Sequence, residues 1–136
     1  MLNDLIPNFD EEIARLHALA PSGFVMGFNL TFRGVEHLIN EYPSAWREEY
    51  EEHNYFFGDP VAVWTVTKTG ATRWSAITIP DLRGIVTRAR RYKLNYGMTV
   101  TKKIVGKRSF ISLAHPDREF TDSEIAETQT KFELWV

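Results

Sequence analysis

Residues 98–105, MTVTKKIV, and 108–115, RSFISLAH, are two strand-like runs with only Gly106-Lys107 between them. A two-residue connection containing glycine between such runs is hairpin chemistry, so the chain is committed to an antiparallel sheet. Other segments extend it. Phe24 to Leu30 reads as a strand, and Phe32 to Ile39 as a second one joined to it by a turn near Arg33-Gly34. Thr72 to Trp74 reads as a short strand. Helical signals fill the gaps. Residues 9–20 carry an apolar stripe at Ile13, Leu16 and Leu19/Ala20 and stop at Pro21-Ser22-Gly23. Pro43 suits the first turn of a helix over about 43–53, and Asp59-Pro60 starts another to about Lys68, closed by Gly70. Pro80-Asp81 opens a helix through about Asn95, stopped by Gly97. Thr121-Asp122-Ser123-Glu124 has the spacing of a capping box and opens a last helix with Ile125, Phe132 and Trp135 or Val136 on its apolar side. The order α-β-β-α-α-β-α-β-β-α predicts an α+β sandwich, an antiparallel sheet with helices on its faces.

Three large rings define a second pattern. Tyr42, Trp46 and Tyr50 stand at i, i+4 and i+8, so a helix puts them on one face. Each has an apolar body and a polar tip. Asp59-Pro60 and the isolated Trp74 follow. Taken singly these residues are bland. An Asp-Pro pair is more often a helix start, rings at helical spacing are by default core, Trp74 is a packing residue and Ser112 an ordinary strand residue. Taken together, rings that enclose and a few OH, NH and carboxylate groups that orient are the chemistry of a buried small-molecule pocket. An aromatic share of 13%, high for 136 residues, fits a pocket lined by rings.

Composition removes several alternatives. The length predicts one domain over residues 1–136 with a real core. A net charge of −2 gives no electrostatic case for nucleic acid. The basic residues Arg83, Arg88, Arg90, Arg91 and Lys93 spread around their predicted helix and read as a solvated face, as do Glu48, Glu49, Glu51 and Glu52. Without cysteine there is no disulfide, thiolate metal site or cysteine nucleophile. No apolar run approaches the ~20 residues of a membrane span, and the acidic N-terminus MLNDLIPNFDEE lacks the cationic start of a secretory signal. A cytoplasmic protein without membrane association is expected. His17, His37, His53 and His115 have no metal-ligand spacing, and no phosphate-binding glycine loop or G-x-S-x-G elbow occurs. Ser112 and His115, three apart on a strand, point to opposite faces. The expectation is a protein that is not an enzyme and holds neither metal nor cofactor.

The run Tyr42-Pro43-Ser44-Ala45-Trp46-Arg47-Glu48-Glu49-Tyr50, with Tyr55, Asp59-Pro60-Val61, Trp74 and Tyr96-Gly97, resembles the autoinducer-binding domain of bacterial LuxR-type quorum-sensing transcriptional regulators over roughly residues 10–135. The resemblance implies an α-β-α sandwich with a central five-stranded antiparallel sheet, PAS/GAF-like, with helices on both faces and an N-acyl homoserine lactone held between sheet and helices. It implies that the Trp46 indole donates to the lactone carbonyl, Asp59 accepts the amide N–H and Tyr42 donates to the amide carbonyl, with Ser112 as a second donor there. Tyr50 and Trp74 would pack on the lactone ring, Arg47 would stand near a 3-oxo group, and Thr99 would face the pocket from its strand. The chemistry matches on its own terms: such a signal has two carbonyl acceptors, one amide donor and an apolar tail, against donor-only tryptophan, acceptor-only carboxylate and phenol. In such regulators a helix-turn-helix domain normally follows. Here the sequence given ends inside its last helix, at the apolar FELWV, so no direct DNA binding by this chain is expected. Two alternatives stay open: a regulator that lacks the DNA-binding domain and pairs with and inhibits a full-length relative, and a sensor for another amphipathic, aryl-acyl signal. A homodimer or heterodimer is the expected assembly.

Overall fold

The computed structural model describes residues 2–136. In chain order it forms α1 (Leu2–Leu5), α2 (Phe9–Leu19), β1 (Gly23–Thr31), β2 (Gly34–Asn40), α3 (Ser44–Glu52), α4 (Pro60–Thr67), β3 (Gly70–Arg73), α5 (Ile85–Ala89), β4 (Tyr96–Ile104), β5 (Lys107–His115) and α6 (Asp122–Trp135). Short 3-10 turns cover Trp74–Ala76 and Arg90–Tyr92. The five strands make one sheet in the order β2-β1-β5-β4-β3, antiparallel at every pairing. This is the expected α+β sandwich with a five-stranded antiparallel sheet.

Period-two alternation gives the sheet two different faces. Phe24, Met26 and Phe28 of β1, Met98 and Val100 of β4, and Ile111 and Leu113 of β5 point to one side. There they pack against Ile6, Leu16 and Ala20 from the N-terminal helices and Phe120, Phe132 and Trp135 from the C-terminal segment, forming a closed core. Each large side chain so buried stabilises the fold by roughly 1.5–3 kcal/mol. The opposite face receives α3, α4 and the 80–95 segment. Its cluster is ring-rich, with Trp46, Tyr55, Ile85, Ala89, Leu94 and Ala114 buried and Tyr42, Tyr50, Trp74 and Tyr92 packed around them.

One irregularity assigns Leu30 to that second face. The β1–β5 register shifts between Gly27 and Leu30, where Asn29 adopts φ 60 and its N–H donates to Ser109 Oγ at 3.1 Å. The extra residue of this bulge re-phases the strand. Without it, Leu30 would share the side of Phe28.

Four local expectations are corrected. The β4–β5 turn is Val105-Gly106, both with positive φ (49 and 76), and Ile104 pairs with Lys107, so the connection lies one residue earlier than Gly106-Lys107. Residues 80–95 are not one helix. Gly84 (φ 66) and Lys93 (φ 67) are left-handed, which confines the α-helical part to Ile85–Ala89. The Asp81 carboxylate does start it, but at a distance, accepting from the N–H groups of Ile85 (2.8 Å) and Val86 (2.9 Å). Gly70 does not close α4, whose C-cap is Lys68 in an extended conformation. The glycine, at φ 119, opens β3 instead. Gly97 stops no helix; it lies within β4. By contrast the capping box of α6 is complete, with Thr121 Oγ1 accepting from Glu124 N–H and Glu124 Oε1 from Thr121 N–H.

Candidate ligand site

A cavity of about 400 Å³ lies between the second sheet face and the layer of α3, α4 and α5. Val25, Leu30, Phe110 and Ser112 contribute its sheet wall. Trp46, Arg47, Tyr50 and Glu51 line it from α3, with Tyr42 just before that helix. Asp59 and the α4 residues Val61, Ala62, Thr65 and Val66 form the facing side, and Trp74, Ile85, Val86, Ala89 and Leu94 complete the enclosure. Of the eight residues singled out in the sequence, seven line this cavity; Thr99 does not.

The α3 helix begins after Pro43, whose extended conformation serves as the N-cap. Its i, i+4 spacing stacks the rings as the sequence suggests. Trp46, 4% exposed, sits at the centre, with ring centroids 5.7 Å from Tyr50, 5.6 Å from Tyr55 and 5.4 Å from Tyr92. Among the described residues the Trp46 side chain makes no hydrogen bond, which leaves its indole N–H as a donor in a cavity-lining side chain.

Asp59 caps α4 and still borders the cavity. Its Oδ1 accepts the Val61 N–H at 2.9 Å as the N-cap of α4, and its Oδ2 accepts the Tyr50 phenol at 2.7 Å. The same carboxylate lines the cavity. Burial pushes its pKa above the ordinary aspartate value, opposed by the Tyr50 hydrogen bond and the backbone N–H groups of Val61 and Ala62. Tyr50 is therefore more than a packing ring, because it holds the carboxylate in place. Burial, then the Asp59 charge, pushes the phenols of Tyr42 and Tyr50 far up, so both stay neutral donors. Tyr42 also lies beside the Ser112 hydroxyl.

Behind this wall, the Trp74 indole N–H donates to Thr99 Oγ1 at 3.0 Å, and Thr99 Oγ1 lies 2.7 Å from Ser112 Oγ. Thr99, expected to face the pocket, shares the sheet face of its partner Ser112 but is fully buried, its hydroxyl engaged by the Trp74 indole. The Trp74 ring covers Gly97, where a Cβ would stand 2.0 Å from the indole, so only a bare Cα lets the ring lie there. Phe110 similarly lies over Gly27. Arg47 is exposed at the rim, its Nε donating to Tyr42 O at 3.0 Å.

Two residues of the charged outer shell also make specific contacts. Arg83 donates to the carbonyls of His53 (2.8 Å), Asn54 (3.0 Å) and Phe57 (3.0 Å) and stands over the Tyr55 ring at 5.2 Å. It thus fastens the loop that leads to Asp59. Glu49 accepts the phenols of Tyr55 (2.8 Å) and Tyr92 (2.6 Å), tying α3 to the 90–92 turn. Sequence reasoning missed the apolar wall, namely Val25, Leu30, Val61, Ala62, Val86 and Phe110. The signal for two of them was available, because Phe110 shares a strand face with Ser112, and Val25 pairs with Ser112 across the sheet.

Chemically the cavity offers hydroxyl, phenol and indole donors, the carboxylate acceptors of Asp59 and Glu51, and apolar walls. His115 does not line it; its Nδ1 accepts the N–H groups of Asp117 and Arg118. Among the described residues no three His, Cys, Asp or Glu side chains cluster as metal ligands, and no helix is long and apolar enough to cross a membrane.

An antiparallel sheet with one packed face and one face hollowed around polar groups is the architecture of a ligand-binding domain. The autoinducer binding domain family model matches residues 23–136, and the chain belongs to that family, the signal-binding part of LuxR-type quorum-sensing regulators. No curated protein sequence matches the chain. Solved structures agree in fold. The N-acylhomoserine-lactone-dependent LuxR-family transcription factor CepR2 of Burkholderia cenocepacia superposes with a TM-score of 0.69 at 17% identity, over 93% of this chain and 77% of that one. Escherichia coli SdiA gives 0.72 at 20% identity, over 100% of this chain and 58% of its own. The ligand-binding domain of Pseudomonas aeruginosa VqsR gives 0.61 at 17%, over 98% and 89%. The chain thus spans little more than half the length of SdiA.

Proposed function

We propose that this domain is the sensor of a LuxR-type regulator and that its cavity takes an N-acyl homoserine lactone. The observation that carries the reading is the Asp59 carboxylate, half-buried at the cavity wall and lining the same space as the donors Tyr42, Trp46 and Ser112. The amide N–H of the signal donates to Asp59. Tyr42 and Ser112 converge on the amide carbonyl, and Trp46 donates to the lactone carbonyl. Tyr50 and Trp74 flank the ring, Arg47 stands at the rim near a 3-oxo oxygen, and the acyl tail runs along the apolar wall toward Leu30 and Phe110. A charge-assisted bond makes Asp59 the strongest single anchor, worth roughly 1.5–3 kcal/mol.

A second head group has support. SdiA has been solved with octanoyl-rac-glycerol, and a glycerol hydroxyl also donates to a carboxylate while the ester carbonyl accepts. Titration calorimetry of the chain with acyl homoserine lactones of graded length, beside 1-octanoyl glycerol and an aryl-acyl lactone, separates these. Saturable binding of an acyl lactone is the expected result, and heat from the glycerol or aryl ligand alone would overturn the assignment. We further infer a receptor rather than a lactone hydrolase, since among the described residues no histidine lines the cavity to serve Ser112 as a base; lactone recovered intact after long incubation is the expected outcome. The reading includes pairing with a second copy or a related regulator, supported by the 79% exposure of Leu134 on α6, and no sequence-specific DNA contact by this chain, supported by its net charge of −2.

A further inference from the structure

The polar groups behind Ser112 form a chain whose direction is fixed by chemistry. Tryptophan can only donate, so the Trp74 indole proton occupies one lone pair of Thr99 Oγ1 at 3.0 Å. Thr99 is fully buried, and among the described residues its hydroxyl has one other polar neighbour, Ser112 Oγ at 2.7 Å. If Ser112 donated to Thr99, the threonine would accept twice and its own proton would be buried with no acceptor, an arrangement folded proteins avoid. The proton of Thr99 therefore goes to Ser112. That leaves the Ser112 proton pointing away from Thr99, toward the cavity that Ser112 lines beside the Tyr42 phenol.

We propose that Thr99 is a positioning residue which fixes the Ser112 hydroxyl as a donor toward the cavity, with Trp74 setting the direction of the chain. The site then presents two donors side by side, Tyr42 and Ser112, and selects a ligand with a carbonyl acceptor at that point. A hydroxyl free to rotate would accept as readily as donate and would select nothing. This inference rests on the acyl lactone reading for its functional consequence, but the proton order itself belongs to the ligand-free protein.

Two variants and two readouts test it. Thr99→Val keeps the shape and the strand preference but removes the hydroxyl, whereas Thr99→Ser keeps the hydroxyl. In ¹⁵N-labelled ligand-free protein, with the indole signal assigned through Trp74→Phe, the Trp74 N–H is expected downfield in wild type and Thr99→Ser, and displaced upfield in Thr99→Val. An unmoved signal in Thr99→Val overturns the chain whether or not any lactone binds. With N-octanoyl homoserine lactone as the probe, Thr99→Val is expected to weaken binding about fivefold, the size of one neutral hydrogen bond, and Thr99→Ser to stay within about twofold of wild type. In the Ser112→Ala background, Thr99→Val is expected to cost nothing further. Full additivity with Ser112→Ala, or equal losses for the valine and serine variants, would reduce Thr99 to a packing residue. If wild type fails to bind the probe, the functional reading falls, and the indole signal still decides the chain.

Discussion

Asp59 and Tyr50 share one hydrogen bond, and that bond links the two strongest readings of the site at the level of single residues. Removing the phenol takes away a donor that opposes the upward push of burial, so the Asp59 pKa rises further. Ligand binding needs the ionised form to accept an amide N–H. Tyr50→Phe is therefore expected to move the acid limb of lactone affinity to higher pH. Trp46→Phe lowers affinity by about two- to tenfold, one neutral hydrogen bond, with the pH profile unmoved. Calorimetric titrations across pH separate the two, and a common profile would remove the orienting role of Tyr50. For Asp59→Asn, asparagine caps a helix about as well as aspartate, and a buried charge is relieved. Ligand-free stability is expected within about 1 kcal/mol of wild type, while lactone affinity falls at least about tenfold with the loss of the charge-assisted bond. Urea unfolding beside titration reads both; an unchanged affinity would leave Asp59 a cap and nothing more. Six of the eight chosen residues are the ring face, Arg47 within it, Asp59 and Trp74, all near one another in sequence or marked by an unusual residue. Thr99 lies on the sheet face its strand position implies, but a strand pattern does not tell that the Trp74 indole engages its hydroxyl.

The elements were legible where local chemistry decides them. Hairpins, the ring-bearing α3 and the capping box all follow from short-range signals. The segment 80–95 was not legible, because its shape depends on contacts far along the chain: Asp81 reaching over to Ile85 and Val86, and Arg83 gripping the carbonyls after α3. Asp81→Ala is expected to cost about 1–2 kcal/mol and to loosen the α5 wall, visible as faster amide exchange at Ile85 and Val86. No change in exchange there would mean the segment is held by packing alone. The α6 start carries a pH signature. Glu124 is pulled from its ordinary 4.5 to about 2, first by its hydrogen bond with Arg118. A carboxyl with a lowered folded-state pKa contributes stability that is present above about 4.5 and disappears as pH falls toward about 2. Glu124→Gln keeps a capping-box partner but loses the ion pair. The melting temperature is expected below wild type at neutral pH, with the two curves converging as pH approaches about 2. Curves that stay parallel would assign the stability to the cap alone.

At the scale of the whole molecule, one sheet carries two unequal halves. Phe24, Met26 and Phe28 of β1 and their partners are sealed by α1, α2 and α6, and the other face is closed around a space. A ligand that fills it stabilises the folded state by mass action, about 2.7 kcal/mol at a hundred times Kd. For a chain of this size that raises the melting temperature by about 10 °C. Gly97→Ala, which forces the Trp74 ring off β4, is expected to abolish most of that ligand-induced rise. An undiminished shift would show that the ring is not part of the binding wall. The α+β class and the antiparallel sheet were readable in advance because alternation and turn chemistry are local. The hollow face was not, because volume is a property of the assembled layers.

The bulge at Asn29 also bears on how such a receptor can change over generations. Packing and cavity lining occupy alternate positions of the same strands, and the re-phasing recruits Leu30 to the cavity wall at the point where β1 would otherwise return it to packing. Replacements at Val25, Leu30 or Phe110 can reshape the chamber for a new signal while Phe24, Met26 and Ile111 are left to hold the scaffold. A gain or loss of a single residue between Gly27 and Leu30 has no such freedom, because it exchanges the two vocabularies from that point to the end of the strand. The lineage can therefore explore specificity by substitution, but hardly at all by changes of length in this strand.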